Sequence, residues 1–273
     1  MNHDYPLIDL ALARRLEHTE ARSSTEFVET RARLKPASGA CWIEVAGAYA
    51  MFDGVGSPLT QSFGLGVVEP VTEEVLLQLE TFFAERDAAI MLEISPLTDQ
   101  SVLPLLHERG YHPVELTSVM FRPIQLEVSL ARSAHPNLSV RQMRTDEQEL
   151  WASTAAQGWS EFAEYAEAIF DLSLMTAARE SGPSFFAELN GEPIATGALC
   201  LCDNVALLAG ASTIPEQRNQ GAQSALLEGR LQYAAAQGCD LAMMCAAPGS
   251  ASQRNAERQG FRIAYTRIKW GKS

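Results

Sequence analysis

The feature that most constrains this chain is that it says nearly the same thing twice. HERGYHPVELTSVMF, His107–Phe121, is echoed by AERQGFRIAYTRIKW, Ala256–Trp270. Each reads as a helix end, a glycine with an aromatic, and an extended run ending in an aromatic. Upstream of the first echo, VEPVTEEVLLQLETFFAERDAAIMLEISP gives proline, helix, strand, proline. Upstream of the second, TIPEQRNQGAQSALLEGRLQYAAAQGCDLAMMCAAP gives the same order. A period of about 150 residues is too long for a solenoid and predicts a duplicated domain. The polar, proline-containing ARSAHPN is the candidate linker, so the expected division is 1–130, linker 131–137 and 138–273.

The second half reads as β-α-α-β-β-β-α-β-α-β. Leu138–Arg141 is a short strand, and Thr145 with Gln148 forms a capping box that opens a helix to Gln157. Glu161 to Arg179 is a second helix, closed by Gly182-Pro183. Ser184–Leu189 and Pro193–Cys202 are strands joined at Asn190-Gly191, a hairpin signal. Asn204–Thr213 is the next strand, and a long helix follows from Ala222 to its C-cap at Gly238. Leu241–Ala246 has the unbroken apolarity of a strand buried on both faces. Ser250 with Gln253 opens a last helix that stops at Gly260, before the strand Phe261–Trp270.

Between the Asn204–Thr213 strand and its helix lies IPEQRNQG. A strand feeding a tight polar turn into a helix start makes an anion cradle, because free N–H groups converge there and the helix dipole adds positive charge. A phosphate-bearing ligand needs several such donors, which Arg218, Asn219, Gln220, Gly221, Ala222 and Gln223 can supply. R-x-x-G by itself is a weak signal; Pro215, the long helix and the downstream Gly-Phe strand strengthen it. The alternative is a plain polar β-α turn.

Composition removes rival functions. A formal charge of −13 argues against a non-specific nucleic-acid binder. The N-terminal stretch carries no apolar core of signal-peptide length, and no apolar run reaches membrane-spanning length. Five cysteines without such a signal fit a reducing cytosol. Cys200 and Cys202 share a strand face as either a metal or redox pair or two small core side chains; no C-x-x-C supports the former. All five histidines precede residue 138, so hydrolytic Ser-His-Asp or Cys-His chemistry is excluded within the second half. No H-E-x-x-H and no P-loop GK[ST] occurs.

The order of elements and the segment TIPEQRNQGAQSALL resemble the GCN5-related N-acetyltransferases. That family carries R-x-x-G-x-(G/A) between a strand and a helix; here the match is Arg218 and Gly221, with Gln223 where Gly or Ala is usual. The tail PGSASQRNAERQGF also looks like the family's next helix. The resemblance covers 138–270 well and 1–130 only through the echo. It implies tandem α/β domains of α+β type, each a mixed, mostly antiparallel sheet flanked by helices. It further implies acetyl-CoA as co-substrate and an amine acceptor, a small molecule or peptide. Nucleic acid and membrane are not expected as partners, and a homodimer is left open.

By the same resemblance, Ser212, Thr213 and Ile214 would pair with the pantetheine arm, with a nearby N–H polarising the thioester carbonyl. Ser252 and Asn255 would line the cofactor, or be simple helix polarity. The tyrosine that protonates the leaving thiolate in many members is replaced by Ala256, and Tyr265 is the nearest substitute along the chain; its alternative is a half-buried strand tyrosine. A general base could be Glu161 or Glu188, or an ordered water. Glu161, Glu164 and Glu167 stand beside Trp159, Phe162 and Tyr165, in the region that walls the family's acceptor pocket. They read either as a solvated acidic face or, with the aromatics, as a selector of cationic amines. Cys245 as an acyl nucleophile lacks an evident base.

In the first half, Val71-Thr72-Glu73-Glu74 stands where the second has its phosphate turn. Two carboxylates at a helix start suit capping and repel a pyrophosphate. The expectation is a degenerate first domain. A non-catalytic acyl-CoA-binding or sensing module is the rival to an enzyme.

Overall fold

A computed structural model describes residues 5–124 and 136–272. The chain divides into two compact units, Met1–Phe121 with Cys245–Ser273, and Arg122–Met244.

In the first unit, α1 (Leu10–Leu34) starts where the Asp9 carboxylate accepts the Leu12 N–H. Strands β1 (Cys41–Val45), β2 (Ala48–Phe52) and β3 (Gln61–Phe63) run antiparallel. Helix α2 (Glu73–Ala84) is capped by Thr72, whose hydroxyl accepts the Val75 N–H, and Glu73 and Glu74 fill its first turn. Strand β4 (Ile90–Ile94) lies parallel to β3; α3 (Val102–Glu108) and β5 (His112–Pro123) follow. Alternation sends Ala50 and Phe52 into a core with Leu76, Phe83, Leu92 and Leu106, and Tyr49 and Met51 toward Ala21 and Val28 of α1.

The second unit holds β6 (Leu138–Gln142), α4 (Gln148–Gln157), α5 (Ala166–Ala177), β7 (Ser184–Leu189), β8 (Glu192–Cys202), β9 (Val205–Thr213), α6 (Ala222–Ala236) and most of β10 (Leu241–Ala246). Strands β6 to β9 pair antiparallel in sequence order, and β10 joins β9 in parallel. Trp151 of α4, 1% exposed, packs on Phe186 and Ala198 and donates its indole N–H to the Phe185 carbonyl at 3.0 Å. The satisfied donor lets so large a side chain be buried at no polar cost.

The chain ends with α7 (Ala251–Arg258) and β11 (Arg262–Lys272), and both belong to the first unit. Strand β11 is antiparallel to β4 on one side and to β5 on the other. The division therefore departs from the expected 138–273 domain: residues from Cys245 onward complete the first sheet. The physical reason is pairing, since β11 satisfies its main-chain groups on strands of the first half. Of the expected linker, residues 131–135 lie outside the described residues.

Element types agree closely with the sequence reading, with three local differences. The helix expected from Glu161 begins only at Ala166. Between Trp159 and Tyr165 the chain takes tight turns, Phe162 N–H to Trp159 O and Tyr165 N–H to Phe162 O, because three aromatics disfavour the helix start. The expected Thr145–Gln148 capping box is shifted by one residue. The Glu147 carboxylate accepts the Arg144 N–H, and a 3₁₀ turn at Thr145–Glu147 precedes α4. Strand β10 is buried only in Leu241–Met243, so burial on both faces holds for half of it.

Candidate functional site

Two irregularities in β9 define the site. Its pairing with β10 covers Val205, Ala206 and Leu207 only, so the strand runs on to Thr213 without a β10 partner. Its pairing with β8 slips between Ala198–Ala209 and Thr196–Ser212, which sets Gly210 and Ala211 opposite Gly197 as a β-bulge. Gly210 takes a left-handed φ of 59°, and both bulge residues are exposed within an otherwise largely buried strand. Exposed main-chain groups in a sheet centre are free to pair with a ligand.

At the end of β9 the chain turns through Pro215–Gln217 and reaches α6 in two left-handed steps, Asn219 at φ 66° and Gly221 at φ 84°. Gly221 is the N-cap, no side chain caps the helix, and its first bond runs from Ala225 N–H to Gly221 O. The N–H groups of Ala222, Gln223 and Ser224 therefore have no helical acceptor. Gly221 is needed because an L side chain is strained at that φ. An asparagine tolerates the same region, which suits position 219.

Gln223 resolves the departure from the family pattern. Its side-chain amide donates to the Ser212 carbonyl and to Thr213 Oγ1, both at 2.8 Å. The extra side chain thus ties the helix start to the strand end and leaves the loop amides clear. Ser212 is itself held, its hydroxyl donating to the Ala155 carbonyl at 3.0 Å and lying 3.1 Å from Thr196 Oγ1. The Arg218 guanidinium bonds Glu161 at 3.1 Å and the Gly158 carbonyl at 3.1 Å. Gln220 bonds Gln217 at 2.7 Å.

Ser212, Thr213, Ile214, Arg218 to Gln223 and Glu161 are thus brought together in the second unit. Glu188 also lies there, bound at 2.7 Å by Arg141, whose guanidinium also grips Glu147. Its carboxylate is therefore engaged by a guanidinium. The other three candidates belong to the first unit. Ser252 is exposed and Asn255 half-buried on α7. Tyr265 on β11 is 6% exposed and donates to Glu17 at 2.8 Å. Burial and the neighbouring Glu17 push its pKa well above the ordinary tyrosine value, so its proton is held and the side chain serves a buried network. That network joins Glu17 and Glu20 of α1 and Glu93 of β4 around Arg267, which is 1% exposed. Burial raises the Glu17 and Glu93 pKa values against the pull of Arg267. Cys245 donates to Glu20 at 3.1 Å, and burial lifts its thiol pKa, the opposite of an activated nucleophile. None of the five cysteines, all among the described residues, forms a disulfide, and Cys200 is buried while Cys202 is half-buried.

Sequence reasoning missed the bulge and one buried side chain behind it, Arg230. A lone glycine inside a strand pattern is the available signal for the first. An arginine at a helix position that faces the core was the signal for the second.

An antiparallel sheet closed by one parallel pair that parts past Leu207, with an uncapped helix start and a left-handed turn at the parting strand, defines a GCN5-related acetyltransferase fold. Residues 141–261 match the model of the acetyltransferase (GNAT) family, so the chain carries a GNAT domain over that stretch. No curated protein matches the chain. Among solved structures, it is similar to a GCN5-related N-acetyltransferase from Kribbella flavida, at 16% identity over 96% of this chain and 95% of that one, with a TM-score of 0.69. It is also similar to a tandem GNAT protein from the clavulanic acid biosynthesis pathway, at 11% identity over 97% and 94%, with a TM-score of 0.62. A GCN5-related N-acetyltransferase from Sphaerobacter thermophilus gives 15% identity over 82% and 76%, with a TM-score of 0.55. At these identities the likeness is one of fold. No helix among the described residues is long and apolar enough to cross a membrane.

Proposed function

We propose that this chain transfers an acetyl group from acetyl-CoA to a primary amine of a small molecule or peptide. The observation that carries the reading is the uncapped start of α6 behind the left-handed Asn219 and Gly221, at the end of a strand that has left its parallel partner. The amides of the 219–223 turn receive the pyrophosphate, and Arg218 supplies charge by exchanging Glu161 for phosphate. The end of β9 beyond its β10 pairing takes the pantetheine arm. The amine nitrogen attacks the thioester carbon, the oxygen becomes an oxyanion held by main-chain N–H, and the C–S bond breaks to release the thiolate. The amine proton leaves to water or to Glu161, and direct attack in a ternary complex needs no covalent enzyme intermediate.

The acceptor is cationic in this reading. Trp159, Phe162 and Tyr165 are exposed, with Trp159 and Phe162 rings 6.1 Å apart, beside the exposed carboxylates Glu161 and Glu164. Aromatic faces and carboxylates together recognise ammonium groups. CoA release measured over a panel of mono- and polyamines, amino acids and peptides tests the reading. Turnover should rise with amine charge; no turnover on any amine refutes the enzyme.

A second reading, a non-catalytic acyl-CoA binder, draws on Ala256, which is fully buried where a thiolate acid is usual, and on the commitment of Tyr265 to Glu17. It predicts tight CoA binding without acetyl transfer. A chain with no such ligand would show no CoA-dependent rise in melting temperature.

A further inference from the structure

Arg230 breaks the rules of burial in the core of the second unit. It is 3% exposed, sits in the middle of α6, and pairs with no carboxylate among the described residues. Its three hydrogen bonds all end on main-chain carbonyls. Nε donates to Leu226 O at 3.1 Å in its own helix, and Nη1 donates to Ala198 O at 3.1 Å and Ala209 O at 3.2 Å. Ala198 and Ala209 are register partners on β8 and β9 and form the last pair before the bulge. Gly197 makes room for the guanidinium, since a Cβ there would lie 2.9 Å from Cζ. On Gly210, a Cβ would meet Ala198 Cβ at 3.2 Å and the Trp151 ring at 3.4 Å. Two glycines and one arginine thus form a built set around the slip in the ladder. Desolvation draws the Arg230 pKa down to about 10, and no carboxylate among the described residues offsets it. Local rules broken without a compensating gain in stability mark functional positions.

We propose that Arg230 is a positioning residue: its guanidinium fixes the carbonyls beside the β8–β9 bulge and so aims the exposed Gly210–Ala211 main chain at the acetyl carbonyl as its hydrogen-bond donor. The inference rests on the acetyl-CoA reading and deepens it. The guanidinium acts twice, by holding the bulge geometry and by placing a fixed positive charge behind the strand that meets the oxyanion. It touches neither substrate nor reacting atoms.

The test uses the full chain with acetyl-CoA carrying ¹³C at the acetyl carbonyl, and its spectroscopic part needs no acceptor. Wild type should bind it with the carbonyl stretch shifted to lower frequency, the signature of a strong hydrogen bond. Arg230→Met should leave the dissociation constant within about threefold, remove most of the shift, and cut turnover about 10- to 100-fold, less than the roughly 100- to 1,000-fold of an oxyanion donor lost outright. Arg230→Lys should recover part of both. Gly197→Ala approaches from the other side and should act like Arg230→Met, which keeps the question open to decision where the methionine variant does not fold. A wild-type shift that survives in the folded variants overturns the proposal, as does wild-type binding without a shift. A merely structural role predicts loss of melting temperature and affinity together, with the shift unchanged in whatever ligand still binds. Failure of wild type to bind acetyl-CoA overturns the donor reading itself, and this proposal with it.

Discussion

Gly221 is where backbone strain and charge can be separated by two substitutions at one position. Its φ of 84° places it in the left-handed region, so Gly221→Ala carries a strain of about 1–2 kcal/mol and adds no charge. Gly221→Asp carries no more strain, since aspartate visits this region more readily than alanine, and adds a carboxylate at a helix start that has no other cap. If the turn holds a pyrophosphate of charge −2 roughly 5 Å from that carboxylate, the repulsion is about 1.7 kcal/mol at the dielectric of water and about 6.6 kcal/mol at an effective value of 20. The half-buried turn belongs nearer the lower figure, so the aspartate variant should bind CoA at least about 20-fold more weakly than the alanine variant. Calorimetric titration of both variants with CoA and with pantetheine measures this. Pantetheine lacks the pyrophosphate and should show no difference between them. The CoA difference should shrink with added salt, because the site is open to screening. Equal CoA affinity for the two variants, or an equal penalty on pantetheine, refutes the placement of the diphosphate.

Three further outcomes follow from other residues. Arg218→Glu breaks the 3.1 Å contact with Glu161 and turns an attractive charge repulsive, so KM for acetyl-CoA should rise more than KM for the acceptor; steady-state kinetics in both substrates would expose the reverse. Gln223→Ala removes both bonds to the end of β9 and should lower stability by about 1–2 kcal/mol while weakening acetyl-CoA several-fold, read by denaturant melts and titration. Glu17 has a native pKa raised by burial and by Glu20 and Glu93, so the native state holds its proton more tightly than the unfolded chain does. Its contribution is intact below the ordinary value of 4.5 and is lost as pH rises through the raised value. Glu17→Gln stays neutral, keeps an acceptor for Tyr265, and should gain in melting temperature over wild type as pH rises; a difference that is flat or falls with pH contradicts this.

What the sequence determined is local. Helix and strand types in the second half follow from periodicity and punctuation: Asn190-Gly191 makes the β7–β8 hairpin, Gly221 opens α6, and Ser250 caps α7 through the Gln253 N–H. The left-handed turn into α6 was legible for the same reason, because a glycine and polar residues between a strand and a helix fix their own backbone geometry. What only the tertiary structure decided is pairing across distance. Strand β11 reads as the end of the second half yet lies between β4 and β5, since alternation specifies the faces of a strand and not its neighbours. Tyr265 became a buried donor to Glu17, 248 positions away, by that pairing. The bulge at Gly210–Ala211 and the guanidinium of Arg230 behind it came from the same source, for a register slip and a buried cation are properties of two elements meeting, which no window of one contains.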